Sequence, residues 1–237
     1  KVTTTGTNKK SGIITVQIDA NTSYEARMGN IIIKSGKQRL YIPVKQAATE
    51  RPVAVDSLRG PAGYNLVWHD EFNGTSLSSD WTIENWPAGR VNNEKQVYPG
   101  TDSYSGQKLI EVKDGFLSII ARKINNQYYS GRIYGKRNTG WKYGYVAARI
   151  RVPAGKGTWP AFWMMPVAGG SWPATGEIDI MEHVGYNPNV VHSTIHCTKY
   201  NNGGTAVESA SRNIGTATSA FHVYAMEWTP VYMKFYV

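Results

Sequence analysis

From Tyr64 to the last residue the chain is a succession of short segments in which apolar and polar residues alternate, separated by glycine, asparagine and proline. "FLSIIAR", "GYVAARIRVP", "EIDIME", "VVHSTIHCTK", "FHVYAMEWT" and "VYMKFYV" each carry the two-residue period of a strand with one buried face. Helical patterns are nearly absent. Such strands bury their apolar faces only by stacking, which predicts an antiparallel β-sandwich or barrel. The 15 tyrosines, 8 tryptophans and 24 glycines suit strands and turns better than helices.

The texture changes before Tyr64. In residues 1–48, "GIITVQIDA" alternates, "NTSYEARMGN" reads as a connection, and "IIIKSGKQRLYIPVKQ" reads as a hairpin turning at Ser35-Gly36. Residues 49–63, "TERPVAVDSLRGPAG", have little periodicity and read as a linker, leaving 64–237 as the main domain. No apolar run has the length of a membrane-spanning helix, and "KVTTTGTNKK" lacks the apolar stretch of a signal peptide. The +9 net charge is scattered rather than gathered into a stripe, which argues against nucleic acid as a partner and leaves an acidic or sulfated polymer open. Cys197 is the single cysteine, so no internal disulfide forms, and its setting reads as a packed thiol.

"GEIDIMEH", residues 176–183, places Glu177, Asp179 and Glu182 within six positions of an apolar-interleaved strand. Regular alternation puts Glu177, Asp179 and Met181 on one face and turns Glu182 away. One extra residue near Ile180–Met181, a β-bulge, returns Glu182 to the acidic face and leaves Ile178 and Ile180 toward the core. The two glutamates then start about 13 Å apart at Cα. Leaning inward on a curved strand, they approach the roughly 5–5.5 Å carboxyl spacing of a retaining glycosidase. Three adjacent carboxyls cannot all ionise cheaply. A proton shared by Asp179 and Glu177 would orient a nucleophile, and repulsion from that pair would keep Glu182 protonated as an acid. A Ca²⁺ site or a plain exposed face are the other readings. The first usually draws on loop carbonyls, and the second would gather three like charges without benefit.

Upstream lie "GKGTWPAFWMMPVAGGSWP", with Trp159, Trp163 and Trp172, and "ENWPAGRVNNEKQVYPG", with Trp86, Asn93 and Glu94. Aromatic faces against sugar rings, with amides, arginine and histidine on the hydroxyls, are the ingredients of a carbohydrate groove. Trp159 is expected to be exposed, Trp163 to be core or groove, and Trp68, Trp81 and Trp228 to be core. His196, on the strand after the acidic one, is a groove candidate.

In this order, "VWHDEFNG", "NNEKQVY", "DGFLSIIAR", "YSGRI", "GYVAARIRVPAGKGTWPAFWMMP" and "WPATGEIDIMEHVG" resemble glycoside hydrolase family 16, in its laminarinase-like branch. The resemblance implies an all-β fold, a concanavalin A-like β-jelly-roll sandwich with a glycan cleft across its concave sheet. The implied reaction is retaining endo-hydrolysis of β-1,3-glucan (laminarin) or mixed-linkage β-1,3/1,4-glucan. By position, Glu177 becomes the nucleophile, Glu182 the acid/base and Asp179 the assisting acid. Asn93, Arg132, Trp159, Trp163, Trp172 and His196 become substrate contacts. No cofactor is required. Many members carry a structural Ca²⁺, to which Glu71 and Gly115 would contribute here. Members continue past "MKFYV" with further strands, so the catalytic domain is expected to be truncated at its C-terminus, with open sheet edges.

Residues 11–48 resemble the later part of a BACON module, an immunoglobulin-like β domain of bacterial glycan-degrading proteins. That implies an extracellular, cell-surface or periplasmic setting, and a surface tether in a region not present in this sequence. Two rivals remain: a non-catalytic glucan-binding protein on the same fold, and a galactan hydrolase of the β-agarase type. The first is disfavoured because all three acids are kept, the second because "GTWPAFWM" and "WPATGEIDIME" resemble the glucanase branch more.

Overall fold

A computed structural model describes residues 2–5, 13–16, 18, 27–46, 60–135, 140–167, 169–201 and 208–237. The described residues form strands and turns and no helix. The chain separates into two compact units, Lys1–Asp56 and Ser57–Val237. The expected linker lies outside the described residues up to position 59.

In the smaller unit Val2–Thr5 pairs antiparallel with Ile13–Val16, and Arg27–Ser35 with Gln38–Gln46. Two readings change here. The opening residues contribute a strand, and the hairpin arm starts at Arg27, inside what reads as a connection. Residues 27–30 lack alternation and are held by cross-strand pairing rather than by a pattern of their own. The turn falls on Gly36 and Lys37, one residue later than expected, with Gly36 at φ 58° supplying the left-handed conformation.

In the larger unit two sheets face each other. One runs Ala161–Met164, Glu177–His183, Val190–His196, Glu208–Asn213; the other runs Gly144–Ile150, His222–Trp228, Met233–Tyr236. Both are antiparallel. Between them Met181 and Val191 pack on Tyr224, Val152 and Ala217, with Phe162, Ile150, Ile214 and Val237 around the margin. The acidic strand thus sets Met181 into the core between the sheets.

A further sheet runs Ala121–Ile124, Gln127–Ser130, Gln96–Pro99, Asn85–Trp86. Its middle pair is parallel, Tyr128 against Gln96 and Tyr129 against Val97, an exception to the antiparallel expectation. Parallel pairing joins segments distant in the chain and leaves no local signature. "FLSIIAR" divides at Ile120: Phe116–Ile119 pairs with Ile110–Lys113, and Ala121–Ile124 pairs with Gln127–Ser130. Gly131 sits where a Cβ would lie 2.6 Å from Ile110 Cγ1 and 2.7 Å from the Leu109 carbonyl, so this crossing needs glycine.

Trp68, Trp81 and Trp228 are half-buried rather than core. For two of them the indole N–H turns to a carboxylate that has to stay near water. Trp68 Nε1 donates to Asp80 Oδ2 (2.7 Å) and Trp81 Nε1 to Asp70 Oδ2 (2.8 Å). Cys197 is free and half-buried.

Candidate active site

The acidic strand contains a bulge. Against Val190–His196 the register runs Glu177–His196, Ile178–Ile195 and Asp179–Thr194, then resumes at Glu182–His192, so one extra residue sits between Asp179 and Glu182. Against Ala161–Met164, Phe162 pairs with Met181 and Trp163 with Asp179, skipping Ile180. In-register partners share a face. Glu177, Asp179 and Glu182 therefore point the same way, together with Trp163, His192, Thr194 and His196. Ile180 and Met181 are both buried beneath, at 2% and 1% exposure. Met181 thus joins the core face, while Ile178, expected there, is half-buried.

Each glutamate is held by a tryptophan. Trp172 Nε1 donates to Glu177 Oε2 at 2.6 Å, and Trp159 Nε1 donates to Glu182 Oε1 at 2.9 Å. Both rings remain about half exposed, at 46% and 51%. An indole N–H has no acceptor capacity, so it fixes a carboxylate oxygen without competing for its proton.

Asp179 is 3% exposed, and its pKa is pushed up to about 8. Burial is the largest cause, followed by the charges of Glu182 and Glu177 and a hydrogen bond with Glu177. At neutral pH Asp179 therefore holds a proton, between two glutamates.

His196 Nε2 lies 3.1 Å from Asp179 Oδ2. An ion pair would need an ionised Asp179, which the raised pKa opposes at neutral pH. His196 Nδ1 is buried without a hydrogen-bond partner. A buried unpaired N–H costs more than a bare ring nitrogen, which favours an N–H on Nε2, donating to Asp179. The His196 ring also lies against Trp172, centroids 5.7 Å apart.

Arg132 extends the face beyond Trp163. Its Cζ lies 5.0 Å from the Trp163 ring centroid, 4.1 Å from Trp86 and 5.5 Å from Tyr98, and its Nε is 4.0 Å from Glu84 Oε2. Arg90 covers Trp86 as well, at 4.3 Å. Tyr98 Oη donates to Glu94 Oε2 (2.9 Å), and Gln96 Nε2 donates to both, which locks this wall.

Of the residues picked from sequence, Glu177, Asp179, Glu182, Trp159, Trp163, Trp172 and His196 come together, and Arg132 adjoins them through Trp163. Asn93 stands in an exposed left-handed turn (φ 54°) and has no hydrogen bond to the acids among the described residues. His192 and Thr194 were missed. Their signal is "HSTIH", where positions 192, 194 and 196 alternate onto one face. Glu71 faces His69 (3.3 Å), and a Cβ on Gly115 would lie 3.8 Å from Asn73 Oδ1. Among the described residues no three His, Cys, Asp or Glu gather as a metal site.

Comparison with known proteins follows the same lines. The model of glycosyl hydrolases family 16 matches residues 98–237, and that of the N-terminal BACON domain matches residues 1–47. A beta-glucanase of Rhodothermus marinus is 39% identical over 183 residues, covering 73% of this chain and 63% of the relative. A keratan-sulfate endo-1,4-beta-galactosidase of Sphingobacterium multivorum is 36% identical, covering 73% and 41%. The chain therefore spans less than two thirds of either relative's length. The X-ray structure of the laminarinase from Rhodothermus marinus superposes with a TM-score of 0.65 at 38% identity, over 73% of this chain and 70% of that one. The two facing sheets thus have the jelly-roll arrangement of that enzyme.

Proposed function

The chain belongs to glycosyl hydrolases family 16, and from that premise we propose that it is a retaining endo-β-glucanase acting on β-1,3- or mixed-linkage β-1,3/1,4-glucan. The observation that carries the reading is the bulge, which turns Glu182 onto the face of Glu177 and Asp179.

The Glu177 carboxylate attacks the anomeric carbon while Glu182 passes its proton to the glycosidic oxygen. The C–O bond breaks and the leaving chain departs. Glu182, now a base, takes a proton from water, whose oxygen displaces Glu177 and regenerates the enzyme. Asp179 keeps its own proton at neutral pH and hydrogen-bonds Glu177, moderating the charge of the nucleophile. The Trp172 N–H holds one Glu177 oxygen, and the Trp159 N–H orients Glu182. Arg132, among Trp163, Trp86 and Tyr98, offers donors beside aromatic faces to sugar units flanking the cleaved bond. No step requires a cofactor.

A polymeric substrate cannot cross a membrane, so the reading places the protein outside the cytoplasm. No helix among the described residues is long and apolar enough to span one. A second reading, a galactan hydrolase, draws on the likeness to the keratan-sulfate endogalactosidase. Product release from laminarin, barley mixed-linkage glucan, agarose and keratan sulfate, with Glu177→Ala as control, separates the two. Oligosaccharides from a glucan, absent in the variant, are expected. Products from a galactan alone would overturn the glucanase reading, and no products at all would turn it into one of binding.

A further inference from the structure

The acidic face can be followed strand by strand well beyond the catalytic carboxyls. Trp163 is in register with Asp179 and packs on Arg132, which packs on Trp86 and Tyr98. Trp86 and Tyr98 are partners in register. Gln96, two residues before Tyr98, shares its face. Gln96 is in turn the partner of Tyr128, and Tyr128 the partner of Lys123. One surface therefore runs from Asp179 through Arg132 to Tyr128 and Lys123.

Along that surface the aromatic rings change character. Trp86 and Trp163 are half-buried, each with Arg132 against its ring. Tyr128 is 47% exposed in the middle of a strand, with Lys123 Nζ 5.5 Å from its ring centroid. The adjacent Tyr129 points to the opposite face and stacks on Tyr104, centroids 4.1 Å apart. Tyr128 is thus the tyrosine of this pair that the fold turns toward the cleft. Arg132 lies four positions further along, past the end of the strand Gln127–Ser130, and Tyr98 and Gln96 stand between the two on this face. With those two side chains between them, a sugar at Tyr128 is a different unit from one at Arg132.

We propose that Tyr128, flanked by Lys123 and Gln96, is an outlying platform that holds a distal unit of the same glucan chain cleaved at Glu177 and Glu182. The inference rests on the glucanase reading above. The ring supplies a flat apolar face for the C–H side of a pyranose. The Lys123 ammonium and the Gln96 amide supply polar groups for its hydroxyls. The cleft then favours long chains over short ones, because a short oligosaccharide spans the acids and Arg132 without reaching Tyr128.

The test compares kcat/KM for a linear β-1,3-gluco-hexasaccharide and a trisaccharide in the full chain and in Tyr128→Ala and Tyr128→Phe. The hexasaccharide-to-trisaccharide ratio is expected to fall about three- to tenfold in the alanine variant and to be retained in the phenylalanine one. An unchanged ratio in Tyr128→Ala, or an equal loss on both substrates, would overturn the platform while leaving the glucanase reading intact. A wild-type chain that cleaves neither oligosaccharide and no β-glucan polymer would sink that reading, and the platform with it.

Discussion

His196 Nε2 lies 3.1 Å from Asp179 Oδ2, and its other ring nitrogen is buried with no partner. The histidine therefore acts on the acid between the two glutamates. Donation from Nε2 occupies Oδ2 and leaves the Asp179 proton directed at Glu177. Replacing His196 with alanine is expected to lower kcat by about tenfold, the worth of one buried hydrogen bond, with a smaller change in KM. The alkaline limb of its pH–rate profile should also shift. A variant that altered KM alone would make His196 a substrate contact instead.

Asp179 holds its proton to about pH 8, whereas an ordinary aspartate in an unfolded chain loses it near 3.8. Between those values the folded state binds more protons than the unfolded one, so stability falls as pH rises through this window. Asp179→Asn carries no titrating proton and is expected to flatten that slope, measured as Tm from pH 4 to 9. The same variant resembles the neutral acid, so near pH 7 it should retain far more activity than Asp179→Ala. Parallel Tm profiles for wild type and Asp179→Asn would show that Asp179 ionises normally.

Glu182 is assigned to protonate the leaving oxygen, a task that an activated leaving group does without. Glu182→Ala should lose roughly 10²–10⁴-fold on polymeric glucan. On an aryl glycoside of the same glycone the loss should be much smaller, and added azide should yield a β-glycosyl azide. Equal losses on both substrates would remove Glu182 from that role.

Gly185 lies in the loop behind the acidic strand. Its N–H donates to the Thr158 carbonyl at 2.9 Å, and a Cβ there would sit 1.7 Å from the Gly155 carbonyl oxygen. Backbone meets backbone, so nothing flexible can give way. Gly185→Ala is expected to destabilise the domain by about 1–3 kcal/mol, read as a lower urea midpoint. Because the 155–158 loop leads to Trp159, its indole bond to Glu182 should loosen as well. An unshifted midpoint would mean that the two loops are not in contact in solution.

The alternation of "EIDIME" and its neighbours determined by itself that the chain is all-β. The spacing of Glu177, Asp179 and Glu182 called for a bulge, because strand geometry is local and its period of two leaves no other way to align them. His192 and Thr194 were legible by the same rule in "HSTIH". What the tertiary structure decided depends on residues far apart in sequence. The parallel pairing of Tyr128 with Gln96 carries no local pattern. The half-burial of Trp68 and Trp81 follows from where Asp80 and Asp70 sit. That Asp179 holds its proton at neutral pH could not be read from the strand alone. It follows from burial and the surrounding charges, and Asp179 is the one that packing closes off from water.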